Sequence, residues 1–166
     1  MLVFPVLRGE KIILRQLQVD DFDRLVQLAS NLKISRRIVN IPHPYQIFNA
    51  VHRLSYAVDG FKNKTRFVFT IALQESNNLI GEISLHIKED IKTAELGYWV
   101  GEPYWKKGYC SEAISKILEF GQVRLGLNTI FATVHPENIP SVSVLTKNGF
   151  SLHNHQANTY TYIIYF

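Results

Sequence analysis

Apolar and polar positions recur along this chain with two periods, and the places where the period changes divide it into elements. Glu10 to Leu17 (EKIILRQL) reads as a first strand, and Val19-Asp20-Asp21 follows as a helix opening. Asp20 can cap, Asp21 and Asp23 suit the positive first turn, and Phe22, Leu25, Val26, Leu28 and Ala29 form an apolar stripe. Between Asn31 and Ile41 that helix ends in a connection. Ile41 to Tyr45 must be a loop, because Pro42 and Pro44 each disfavour helix in the residue before them. A second helix is expected from about Gln46 to Val58. Arg66–Leu73, Leu79–Ile87 and Lys92–Val100 are strands by their β-branched and aromatic content, and the turns at Glu75–Asn78 and Lys88–Ile91 are short enough for an antiparallel meander.

After Gly101 and Pro103 the period becomes helical. Cys110, Ala113, Ile114, Ile117, Leu118, Gly121 and Leu125 mark a helix from Gly108 to about Leu125, and Thr129–Val134 is the next strand. A strand, helix, strand succession of this length predicts a crossover between parallel strands. A short helix from Ser141 to about Asn148 is stopped by Gly149, and Phe150–His153 and Tyr160–Phe166 are the last two strands. The pattern predicts an α+β fold: one mixed, mostly antiparallel sheet of about seven strands with about four helices. With no internal repeat, linker or low-complexity tract, residues 1–166 read as a single domain.

Composition narrows the function classes. A content of 46% hydrophobic and 19% charged residues excludes a disordered chain. The single cysteine, Cys110, cannot form an internal disulfide, and no cysteine–histidine spacing resembles a zinc site, so no metal is expected. His153 and His155 share a strand face without a third ligand and read as polar surface. The apolar run before Pro5, Arg8, Glu10 and Lys11 is too short for a signal peptide or a membrane span; the expectation is a soluble protein of the reducing cytoplasm. A net charge of +4 is compatible with a polyanionic ligand. Lys and Arg are scattered rather than gathered in a stripe, and no nucleic-acid motif appears, which argues against a nucleic-acid-binding domain.

The stretch richest in chemistry is AELGYWVGEPYWKKGYCSEAISKI, Ala94 to Ile117. Lys106-Lys107-Gly108 stands directly before a helix start, where unpaired amides and the positive end of the macrodipole suit a phosphate. Taken alone, the same residues make an ordinary glycine turn with two solvated lysines.

Other motifs decide between these readings. GEKIILRQLQVDD, IPHP, LIGEISL, AELGYWVGEPYWKKGYCSEA and HPENIPSVSVLTKNGF resemble, in this order and from Arg8 to Phe150, the GNAT superfamily of N-acetyltransferases. More closely they are similar to its RimJ/RimL branch of ribosomal-protein N-terminal acetyltransferases. The resemblance implies acetyl-CoA as cosubstrate and a sheet splayed at the cofactor site. It implies that backbone groups of Trp99, Val100 and Gly101 receive the pantetheine arm. It further implies that the loop of Trp105, Lys106, Lys107, Gly108, Tyr109 and Cys110, with Ser111 at the helix start, wraps the pyrophosphate. Lys106 stands where the family has a glycine and Cys110 where it has a small residue; lysine adds favourable charge but takes a positive φ less readily, so binding is expected to be retained and weakened. The lysines and the helix start give the Cys110 thiol grounds for a lowered pKa, against its reading as a small buried residue.

Acetyl transfer to an amine requires a neutral amine and a proton for the leaving thiolate, and direct attack in a ternary complex needs no nucleophilic side chain. The resemblance puts Asn138 near the pantetheine and Ser141 near the cofactor's sulfur, as hydrogen-bond partner or proton donor. Both residues are also ordinary turn and helix-cap choices. Glu95, on the strand face shared with Gly97 and Trp99, is the first candidate for the base, through a water; Glu82 and His135 are its rivals. The acceptor side would involve Arg36, Arg37, His43, Tyr45 and Tyr160. The implied activity is acetylation of a primary amine, with a protein N-terminal α-amine preferred because this region is basic. The alternatives are a small amine such as a polyamine or antibiotic, and a non-catalytic CoA-binding module. Monomer and homodimer are both compatible with the sequence.

Overall fold

The computed structural model describes residues 3–38 and 40–166. Eight strands form one sheet in the order β1-β2-β3-β4-β5-β6-β8-β7. They are β1 (Leu7–Arg8), β2 (Ile12–Arg15), β3 (Arg66–Leu73), β4 (Leu79–Ile87), β5 (Thr93–Val100), β6 (Thr129–Val134), β7 (Ser151–Gln156) and β8 (Thr159–Tyr165). Every pairing is antiparallel except β5 with β6, the pair joined by the expected crossover helix. The helices are α1 (Phe22–Ala29), α2 (Leu32–Ser35), α3 (Ile47–Lys62), α4 (Tyr109–Glu119) and α5 (Ile139–Lys147).

Two elements exceed the sequence expectation: the two-residue β1 and the single-turn α2, both too short to carry a period. The long helix expected to run to Leu125 leaves α-geometry at Glu119 and widens into a π-turn over Phe120–Arg124. Among the described residues no helix is long and apolar enough to cross a membrane.

The two faces of the sheet differ in chemistry. On one, Ile12, Leu14, Phe67, Phe69, Ile71, Ile83, Leu85, Ala94 and Leu96 pack against Ala113, Ile114 and Ile117 of α4. These side chains are nearly all fully buried, and each contributes about 1.5–3 kcal/mol by leaving water. On the other face the cross-strand row Arg15, Thr70, Glu82 and Trp99 is polar yet buried, and lies toward α1 and α3. A buried polar row persists only if its members are paired. Arg15 therefore holds Asp21 in a two-pronged ion pair at 2.7 and 2.8 Å.

Candidate active site

The site begins where β5 leaves β6. The parallel pairing runs through Thr93–Thr129, Ala94–Ile130 and Glu95–Phe131 and stops there. Beyond it β6 continues with β8 to Val134, while Leu96 to Val100 keep only β4 as neighbour. The strands thus open a cleft whose β5 wall ends in the segment predicted to bind pantetheine. Of the three residues named for that role, Gly101 has its N–H committed to the Ile80 carbonyl at 2.8 Å. The Val100 carbonyl accepts the Trp105 indole N–H at 2.6 Å, which ties the following loop back onto the strand end.

In that loop Gly108 has φ 84° and is the residue before α4, whose first turn of Tyr109, Cys110 and Ser111 presents its amides at the loop. Lys106 has φ 61°, so the lysine does occupy the left-handed conformation that a glycine takes at lower cost. Lys106 and Lys107 are exposed and make no ion pair among the described residues; Lys107 lies 5.8 Å from the Tyr104 ring. Exposed lysines, helix amides and a left-handed turn fit the phosphates of a coenzyme A moiety. Ser111 is less free: its hydroxyl accepts the Asn148 amide at 3.0 Å and ties α4 to the end of α5. Burial against the apolar core pushes the Cys110 thiol up to about 12, so it stays protonated, and the lowered-pKa reading is corrected.

Across the cleft Ser141 lies in the first turn of α5, after Asn138 as the preceding cap residue. Its Oγ is 2.6 Å from the Tyr98 hydroxyl. Burial raises the Tyr98 pKa above its usual value, with Cys110 adding to the effect, so the phenol keeps its proton. Tyr98 was missed from the sequence because its partner is 43 residues away.

Tyr98 also lines a cavity of about 460 Å³ on the polar face of the sheet. The floor is Glu82, Ser84, His86, Gly97 and Trp99; the walls come from α1, from α3 through Asn49, His52, Arg53 and Tyr56, and from the Ile38–Tyr45 connection. Gly97 sits across from Ser84, where a side chain's Cβ would come within 3.2 Å of the Ser84 Oγ. Glu82 accepts both Arg53 Nε, 3.2 Å from each carboxylate oxygen, and the Trp99 indole at 3.1 Å. His86 contacts the Ser84 hydroxyl at 3.1 Å through Nε2 and the Tyr56 hydroxyl at 3.5 Å through Nδ1. Burial first, then the Arg53 charge, lowers its pKa, so the imidazole is neutral at pH 7.

Glu95 stands directly opposite His86 in the β4–β5 register, at the vertex of the splay. It is paired with Lys88 at 2.7 Å and lies outside the residues that line the cavity. His135 is exposed and bonds only to the Glu137 amide, at 3.3 Å, among the described residues. Of the predicted acceptor residues, Tyr45 lines the cavity. Arg37 instead lies 5.8 Å from the Trp105 ring, while Arg36, His43 and Tyr160 are not among the lining residues. His86 and Arg53 were missed, although the alternation Glu82, Ser84, His86 within an otherwise apolar strand is a legible signal.

Comparison with known proteins follows this geometry. A family model described as an acetyltransferase (GNAT) domain matches residues 11–151. An uncharacterized N-acetyltransferase of Bacillus licheniformis, p20, is 30% identical over 85% of this chain and 79% of its own length. The uncharacterized N-acetyltransferase YoaA of Bacillus subtilis is 30% identical over 89% of this chain and 84% of its own. The ribosomal-protein α-N-acetyltransferase RimL, solved with coenzyme A, shares the fold at TM-score 0.85 and 17% identity, over 97% of this chain and 98% of that one. Since the family match spans the sheet, the cleft and the loop before α4, this chain belongs to the GNAT acetyltransferases.

Proposed function

We propose that this GNAT enzyme transfers acetyl from acetyl-CoA to a primary amine by direct attack, with a protein N-terminal α-amine as the acceptor class. The observation that carries the reading is the meeting of cleft and cavity at Tyr98, whose hydroxyl faces Ser141 across the splay. The basic loop before α4 suits the phosphate end of the cofactor, and Trp99, Val100 and Asn138 flank the route its pantetheine arm would take. The cofactor supplies an activated thioester; the chain's own groups do the rest.

Ser141, hydrogen-bonded by a phenol that burial keeps protonated, is the group from which a departing thiolate takes its proton. At the vertex Glu95 takes the proton of the attacking amine through a water. A second base is favoured by a specific observation: His86 is neutral and lines the cavity that Glu95 does not. A small-molecule amine is the runner-up acceptor, since a cavity of about 460 Å³ accommodates a whole small molecule as readily as one terminal residue.

The test is thiol release from acetyl-CoA against a panel of amino-terminal peptides and small amines. Peptide turnover well above that of free amines is the expected result; release with small amines alone would overturn the acceptor class. Glu95→Gln should lower turnover by about 10²-fold with coenzyme A affinity unchanged. Unaltered turnover in Glu95→Gln, with loss in His86→Asn, transfers the base role to His86.

A further inference from the structure

Two arginines lie on the polar face of the sheet, and they are treated differently. Arg15 is saturated: Nε donates to Asn77 Oδ1 at 2.7 Å, one terminal nitrogen to Asp21 and the Gln16 carbonyl, and the other to Asp21 and the Asn77 carbonyl. Arg53, which lines the cavity, donates only through Nε to Glu82; among the described residues neither terminal nitrogen has a hydrogen-bond partner. The guanidinium edge that binds a carboxylate or phosphate two-pronged is therefore open toward the cavity.

The rest of the lining agrees in sign. Glu82 is the only acid among the lining residues, it is 4% exposed, and Arg53 and Trp99 already occupy its oxygens. A dicationic polyamine would find no free carboxylate there. The other polar groups are His52, His86, Asn40, Asn49, Tyr45 and Tyr56. Burial, with the Glu82 charge, pushes the Tyr45 hydroxyl up to about 12, so it stays a protonated donor.

Building on the acetyltransferase reading, we propose that the acceptor carries an anionic group, a carboxylate or a phosphate, beside the amine it presents, and that the terminal nitrogens of Arg53 bind that group. For a peptide the anion is an acidic side chain at the N-terminal residue. The carboxylate of Glu82 holds Arg53 by its Nε edge and so aims the opposite edge at the ligand.

Binding tests the proposal independently of turnover. Isothermal titration compares N-acetyl-aspartate with N-acetyl-asparagine, and phosphoethanolamine with ethanolamine. At least one anionic partner should bind ten-fold or more tightly than its neutral match, and the pair with the larger ratio identifies carboxylate or phosphate as the source. Arg53→Gln combined with Glu82→Gln, which removes the pair without stranding a buried carboxylate, should abolish the preference while coenzyme A affinity is kept. Equal affinities in both pairs would overturn the proposal, and a preference that survives in the double variant would overturn the role of Arg53. Thiol release on the neutral and acidic peptides in parallel judges the transferase reading separately: a protein that turns over both equally is a transferase without this anion site.

Discussion

The two halves of the site are built from different materials. The cofactor half is a continuous stretch, Trp99 to Ser111, which presents backbone amides, a left-handed turn and two unpaired lysines. The acceptor half is assembled from side chains of α1, the Ile38–Tyr45 connection, α3, β4 and β5 that hold one another in place. Backbone groups survive substitution of the residue that bears them, whereas an interlocked set of buried polar side chains fails when one member is removed. Single changes should therefore be severe in the acceptor half and mild in the cofactor half.

The largest effect is expected for Glu82→Ala. It strands the Arg53 guanidinium and the Trp99 indole N–H together. Breaking a fully buried ion pair costs about 3–5 kcal/mol; because the Arg53 side chain is 24% exposed and can rehydrate through the cavity, about 2–3 kcal/mol is expected here. For a chain of this size that is a fall of about 4–12 °C in Tm, read by thermal unfolding. Ser111→Ala in the cofactor half loses one hydrogen bond, from Asn148, and should cost about 0.5–1.5 kcal/mol. Equal losses in the two variants would break the contrast.

The same contrast explains what the sequence discloses. The α+β class, the meander, the crossover and the loop before α4 are written in local periods and in one contiguous motif, and they were legible. So was the strain at Lys106, since a lysine in a glycine's place carries its φ problem in its identity. The acceptor half is written in pairs far apart in the chain: Arg53 with Glu82 is separated by 29 residues and Tyr98 with Ser141 by 43. No local pattern reports such pairs. Burial also depends on neighbours: the same lysine-rich helix start that suggested an activated Cys110 leaves the thiol packed against the core.

A smaller effect, of opposite sign, is expected in the cofactor half. Lys106→Gly relieves about 1–2 kcal/mol of left-handed strain and adds about 0.5–1 kcal/mol of unfolded-state entropy, so the variant should be about 0.5–1 kcal/mol more stable. Coenzyme A affinity should fall slightly at low salt and match the parent at high salt, because the lost lysine acts as an exposed charge. A stability loss would mean that the Lys106 side chain holds the loop and that this half, too, depends on side chains.

The smallest effect should appear only on titration, and only in the acceptor half. His86 faces Tyr56 and Arg53 from α3, Arg66 from β3, Glu95 from β5, and Ser84 and Lys88 along its own chain. Burial, Arg53, Arg66 and Lys88 lower its pKa, and Glu95 opposes them only in part. A histidine depressed below its ordinary 6.5 is neutral in the folded protein while the unfolded chain still takes up a proton. Its contribution is therefore complete above pH 6.5 and is lost as pH falls through that value toward the folded pKa. The parent should lose stability from pH 7 to pH 5 more steeply than His86→Asn, measured as Tm against pH. Parallel curves would remove the burial argument for a neutral imidazole at pH 7, and with it the case for His86 over Glu95 as the proton acceptor.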